Sequence, residues 1–350
     1  MLRKRVAKTT PVKFKIADNT NITNISMRTF LSHSKTKDEL TVYLADKTIA
    51  FAQKMKRNLV VSWRNEAKAS DGTDVTALKS THEEADTKII LHCLYASRHG
   101  ATSLHIFSPD TDVFILSIWW SKMFPADTRF VTGVGTNKRM IDVNHVCSCL
   151  GSEKVMALLA LHALSGSDVT GCLAKKGKAT FWKAFKTSDA NVLASLGKLG
   201  APEEFTKEDE QLIEKFICQV YLPGTTISDI GELRWFMFTK KDLHNENLPP
   251  TKGALTPYIS RTDYQVLEWK SADKPNPNLP DPLHFGWEMT GQSYTPVTCL
   301  LPCAPDSVIQ LVRCSCLKGQ CVVNCKCRTH SLVCTELCRC SCDENLCKDD

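Results

Sequence analysis

The chain has 350 residues, of which 43% are hydrophobic and 23% charged, and its formal net charge is +6. That is enough for one sizeable core and a small second module, and the balance is globular rather than disordered or fibrous. The longest apolar run, near residues 113–120, is shorter than the roughly 18–20 residues that cross a bilayer, and the basic start MLRKRVAKTTPVKFK lacks the apolar stretch of a secretion signal. No membrane partner is expected, and a nuclear or cytoplasmic setting with reduced thiols follows.

Residues 1–80 carry sixteen Lys and Arg against seven Asp and Glu. Such a surplus suits a polyanionic partner, with a solvated surface as the alternative. Val12, Phe14 and Ile16 alternate as in a short strand. KDELTVYLADKTIAFAQKM has the apolar spacing of an amphipathic helix, and NLVVSW at 58–63 reads as a buried strand. EEADTKIILHCLYASRHG then predicts a helix ending at Gly100, and SLHIFS at 103–108 a strand. TDVFILSIWW is a helix or a continued strand, and TRFVTG at 128–133 is another strand. Helices are expected near 142–149, 152–164, 177–187 and 206–222, the last with Thr206 as N-cap and Asp209 three residues on. This alternation predicts an α/β layer fold with a mainly parallel sheet.

Ten of the fifteen prolines lie between Pro249 and Pro305. Residues 246–310 are therefore expected to be an extended segment pinned by Trp269, Phe285 and Trp287. The organisation read from the chain is an N-terminal part at 1–80, a core at 81–245, the extended segment at 246–310 and a cysteine module at 311–350.

THEEADTK at 81–88 begins like a zinc-protease HExxH helix, but Asp86 stands where the second histidine belongs. The stretch has more meaning beside SPDTD, with Asp110 and Asp112, and LSGSD, with Asp168. Asp110 and Asp112 follow a predicted strand, on the rim where α/β folds bind ligands. Glu84 and Asp86 face one site only if Glu84 lies where the helix begins, since two residues on a regular helix point about 200° apart. Carboxylates converging without His or Cys suit the hard cations Mg²⁺ or Mn²⁺. Taken singly, each has a plainer role: Asp110 or Asp112 as a helix cap, Asp168 in a turn, Glu84 and Asp86 against a helix dipole. His92 and His162 sit in apolar helical stretches and read as satisfied core histidines.

EEADTKIILHCL, SPDTDVFIL and ALLALHALSGSDVTGCLAKKGKATFWKAF resemble, in order, the blocks of the flap-endonuclease branch of the PIN-like nucleases. The resemblance covers roughly residues 80–190. It implies a three-layer α/β domain in which Glu84, Asp86, Asp110, Asp112 and Asp168 form a Mg²⁺ or Mn²⁺ site for phosphodiester hydrolysis. It also implies that LAKKGKATFWKAF, with Lys175, Lys176, Lys178 and Lys183, grips the phosphates of DNA. The chain departs from that pattern where the first strand should end in Asp: NLVVSW is followed by Arg64, and Asp18 is the weak substitute. A chain beginning inside its domain accounts for this departure, and it favours binding over turnover. HEEADT, DTDV and LPDPLHFGW also resemble a multicopy group of invertebrate and fish proteins, a likeness that implies no activity.

Ten cysteines crowd the end: Cys314, Cys316, Cys321, Cys325, Cys327, Cys334, Cys338, Cys340, Cys342 and Cys347. Short C-x-C spacings without an apolar core suit zinc–thiolate clusters with bridging sulfurs, whose metal supplies the folding energy. A disulfide knot is the alternative. The spacing is similar to the tesmin-type CXC zinc domain, which implies three zincs and DNA contact, although one spacer is a residue short and the tyrosine before the second C-x-C pair is absent. The functional expectation is a nucleic-acid-binding protein, with metal-dependent DNA cleavage as one reading. An inactive chromatin interaction protein, or a decayed copy of a mobile-element-like family, is the other.

Overall fold

The computed structural model describes residues 12–167, 170–241 and 247–301, and in the cysteine-rich end residues 314–316, 325, 327, 334 and 338–340. The chain divides into two units, 1–297 and 298–350. The first is a mixed α/β unit, rich in helix, with small sheets.

Its N-terminal part holds the short helix α1 (Met27–Phe30) and the long helix α2 (Ser34–Lys54), the latter on the predicted amphipathic stretch. Residues 12–17 form no strand; Phe14 instead packs its ring on Phe30 and donates its N–H to Thr36 Oγ1. Strands β1 (Val60–Trp63) and β2 (Glu66–Ala69) form an antiparallel hairpin. β1 is half-buried rather than buried, because a two-stranded ribbon has only one neighbour to cover it.

Helix α3 (Ala85–Arg98) precedes β3 (Ser103–Phe107), α4 (Thr111–Trp119), β4 (Asp127–Thr132) and β5 (Arg139–Asp142). β3 pairs in parallel with β4 across α4, the one strand–helix–strand crossover in this sheet. β4 reaches β5 through a short turn and pairs antiparallel. A hairpin of β6 (Trp287–Thr290) and β7 (Ser293–Pro296) completes the strands among the described residues. The expectation of a mainly parallel sheet is thus corrected: among the described residues only β3–β4 is parallel. Short connections dictate antiparallel pairing everywhere else.

The core is helical. α5 (Val143–Leu150) turns at Gly151, whose φ is +79°, into α6 (Ser152–Leu164). Every residue of α6 from Ala157 to Leu164 is buried, as a helix apolar on all sides demands. No single helix among the described residues is long and apolar enough to cross a membrane. α7 (Lys178–Lys186) and α8 (Ala190–Lys198) pack on α6, α9 (Lys207–Tyr221) packs on α7 and α8, and α10 (Ile230–Lys241) packs on α9. α9 starts with the expected reciprocal cap, Thr206 and Asp209 each bonding the other's backbone N–H.

Residues 252–270 correct the expected extended segment. They form α11 (Lys252–Lys270), with Pro257 inside it and Thr251 as N-cap. Leu255, Tyr258, Ile259, Thr262, Val266 and Trp269 are buried at helical spacing, so burial of one apolar stripe outweighs the hydrogen bond that Pro257 forgoes. Past α11 the chain anchors the start of α3: the Thr81 N–H donates to the Pro275 carbonyl (3.0 Å), and His82 Nε2 meets the Lys274 carbonyl at 2.8 Å.

Candidate metal centres

Two clusters of ligand atoms stand out, one in each unit. In the first, α3 begins at Ala85, and Glu84 before it has extended backbone (φ −89°, ψ 148°), the irregular start that the carboxylate pair requires. Asp86 lies in the first turn of α3. Asp110 ends the β3–α4 connection and caps α4, accepting the Asp112 N–H at 2.9 Å. One carboxylate oxygen from each of Asp86, Asp110 and Asp112 lies within 4.8 Å of the other two. Asp110 is therefore both a cap and a member of the cluster. Glu84 is outside this trio, and Asp168 lies outside the described residues.

Like charges this close repel unless a cation lies between or beside them. Two cationic or donor groups meet the trio on one side. Buried His162 on α6 donates Nε2–H to Asp112 Oδ1 at 2.7 Å. Lys178, the first residue of α7, places Nζ 4.0 Å from that oxygen and 3.5 Å from the His162 nitrogen. The hydrogen bond from His162, with the charges of His162 and Lys178, holds the Asp112 carboxyl below its ordinary value against the effect of burial. Trp269 of α11 packs its ring 5.7 Å from the His162 ring, so a helix from the proline-rich part of the chain supports the site.

Read as a core histidine, His162 is indeed buried, but its partner is a member of the acidic cluster. The available signal is a polar ring in an otherwise apolar helix, which needs a partner when buried. His92 is likewise satisfied, at 2.6 Å from Ser62 Oγ. Asp18 does not join the trio; it pairs with Lys47 at 2.8 Å and accepts from Tyr43 at 2.9 Å. Arg64, with φ +46°, pairs with Asp38.

The lysines diverge. Lys175 is exposed in the left-handed region at φ +54°. Lys176 turns onto Tyr221, 4.9 Å from its ring centroid, and donates to its carbonyl at 3.3 Å. Lys178 faces the acidic trio, and Lys183 is exposed on α7.

In the second unit, the described cysteines form two overlapping quartets, Cys314–Cys325–Cys327–Cys334 and Cys314–Cys334–Cys338–Cys340, each within 4.8 Å. The separations Cys314–Cys340 (3.4 Å), Cys327–Cys338 (3.5 Å), Cys325–Cys334 (3.7 Å) and Cys314–Cys334 (3.8 Å) exceed any S–S bond. They approach the roughly 3.8 Å edge of a tetrahedron whose corners lie about 2.3 Å from a central metal. No disulfide joins the described cysteines. Cys314 and Cys334 belong to both quartets, the position of bridging sulfurs. The Cys314 N–H donates to Cys338 Sγ at 3.4 Å, and half-buried Cys316 packs beside the cluster. The group can hold metal. Cys321, Cys342 and Cys347 lie outside the described residues.

No family model, curated protein or solved structure matches this chain.

Proposed function

We propose that this chain is a DNA-binding protein whose first unit is a divergent PIN-like domain and a Mg²⁺- or Mn²⁺-dependent phosphodiesterase, and whose cysteine module is held by zinc. The observation that carries this reading is the convergence of Asp86, Asp110 and Asp112, from two separate sequence blocks, beside Lys178 of α7. The β3–α4–β4 crossover supports it, since Asp110 and Asp112 stand beyond the carboxyl end of β3, where such units bind ligands.

Asp86, Asp110 and Asp112 would hold the cation. A bound Mg²⁺ or Mn²⁺ supplies Lewis acidity and a more acidic water for attack on phosphorus. His162 fixes the orientation of Asp112 through its 2.7 Å hydrogen bond, and Trp269 packs at a tilt against the ring that makes it. Lys178 offsets the carboxylate charge on the side where a phosphate would otherwise be repelled. For the cysteine module, thiolate-only ligands at tetrahedral spacing favour zinc over hard cations. A nuclear setting suits DNA as the polyanion.

A second reading, binding without turnover, is favoured by Asp18, which is bonded to Lys47 and Tyr43 rather than placed in the trio. Labelled flap, bubble and single-stranded DNA incubated with Mg²⁺ or Mn²⁺ distinguish the two. The hydrolytic reading expects cleavage that falls at least about 100-fold in Asp110→Asn/Asp112→Asn, the scale of losing a key electrostatic contribution to the transition state. DNA binding without cleavage in either metal would leave only the second reading.

A further inference from the structure

The part of α7 beyond Lys178 is not explained by a cation site. Phe181 and Phe185 are fully buried, so this short helix is fixed to the core by one face. Flanking that buried face, Lys178, Trp182 and Lys186 recur at i, i+4 and i+8, a spacing that aligns them in one stripe along about 12 Å of helix. Trp182 is 36% exposed, an unusual position for so large an apolar ring, and it is braced by Phe185 at 5.6 Å. Lys183 and Lys186 are exposed beside it. Lys154 reaches from α6 to the Lys186 carbonyl (3.2 Å), adding a fourth cation at the far end of the stripe. From Thr170 to Ser188 the chain carries five lysines and no carboxylate. The near end of the stripe is Lys178, 4.0 Å from Asp112.

We propose that this face of α7 is a binding track for single-stranded nucleic acid, with a base stacked on Trp182 and phosphates on Lys183 and Lys186, leading toward the acidic trio. Lysines alone would grip any phosphate backbone. The exposed indole among them selects unpaired bases, because a duplex keeps its base faces stacked on each other. The track spans the length of about three stacked nucleotides at 3.4 Å each, which sets Trp182 one or two nucleotides from the trio. The track deepens the phosphodiesterase reading and rests on it only for its direction toward Asp112, since base stacking and phosphate binding need no divalent cation.

The test is therefore run in EDTA, where binding is separated from cleavage. Fluorescence anisotropy of the full chain is measured with a labelled 16-nucleotide oligo-dT and with a 16-base-pair duplex. Single strand should bind at least about fivefold more tightly than duplex, and Trp182→Leu should weaken single-strand binding by about 5- to 30-fold, with Trp182→Phe keeping most of the affinity. Lys183→Gln/Lys186→Gln should lower the salt dependence, by about 0.7 in the logarithmic slope for each phosphate that is no longer neutralised. Unchanged thermal melting keeps these effects interpretable; if Trp182→Leu melts early, the Phe variant and indole quenching on titration with oligo-dT decide. Duplex preference, an unaffected Trp182→Leu, or binding only to phosphatidylserine vesicles would overturn the proposal. Absence of cleavage with the Trp182-dependent binding retained would instead refute the hydrolytic reading alone.

Discussion

Asp209 shows how a single carboxylate can be worth a measurable share of stability. It is buried where α8 meets α9 and accepts hydrogen bonds from Ser195 (2.7 Å), Lys198 (3.0 Å) and the Thr206 N–H (3.0 Å). Burial alone would raise its pKa; these bonds outweigh burial and hold it at about 2, lowered from 3.8. Because the folded value is the depressed one, the stabilisation is complete above about pH 4 and is lost as pH falls toward 2, about 2 kcal/mol in all. Asp209→Asn should therefore be less stable than the parent at pH 7 by about that amount, with the gap closing between pH 4 and 2 in paired urea melts. A gap independent of pH would show that shape, not charge, matters there. His162 is the second residue whose role is specific. If it orients Asp112 for a cation, His162→Ala should weaken Mn²⁺ binding about 10-fold or more, the usual effect of losing a partner of a metal ligand, and His162→Gln should weaken it less. Equal Mn²⁺ titrations for all three proteins would mark His162 as a packing residue only.

Among the elements, α11 shows what the sequence conceals. Its buried stripe from Leu255 to Trp269 is written at helical spacing, yet the surrounding prolines argue for extended chain and Pro257 sits inside the helix. Only a partner surface decides between them, and that surface belongs to distant chain: Lys270 donates to the Gly197 and Leu199 carbonyls, and the Gly200 N–H donates to Asp263 at 2.6 Å. Local periodicity suffices for α2, α3 and α9, and the unbroken apolar run for α6. It also suffices for β3 and β4, but not for their pairing, which depends on how long the connections are. Asp86, Asp110 and Asp112 are legible because each block repeats a compact acidic pattern; their neighbour His162 is not, because nothing near it in sequence names its partner. The α8–α11 junction is testable at Gly200. With φ +79°, a Cβ there would lie 2.8 Å from the backbone of Val266 and Leu267. Gly200→Ala should cost about 2 kcal/mol or more in a thermal or urea melt, since neither the left-handed backbone nor the helix can yield. A loss under about 0.5 kcal/mol would mean that the loop re-forms away from α11.

At the scale of the whole molecule, the two units draw their stability from different sources. The first buries a helical core around α6. The second has, among its described residues, a cluster of buried cysteines with Cys316 partly buried beside it, and no other apolar core. Six thiols packed at 3.4–3.8 Å do not hold a fold by dispersion alone; ligand bonds must replace the missing hydrophobic surface. The C-x-C spacing announces this, since sulfurs two residues apart can converge on one ion, though not which sulfurs are shared. Sharing gives a sharp consequence. Cys314 and Cys334 lie in both quartets, whereas Cys340 lies in one. Metal analysis of the purified full chain should find at least two zincs. Cys340→Ser should lose about one of them, and Cys314→Ser should lose two, because removal of a bridging thiolate opens both sites. Thiol labelling supplies a second reading of the same point: exposed Cys149 and Cys172 of the first unit should react with or without chelator, while the clustered cysteines should react only after it. Fewer than two zincs in the parent chain, or equal losses in the two variants, would dismantle the bridged arrangement and leave the quartets as separate or unfilled sites.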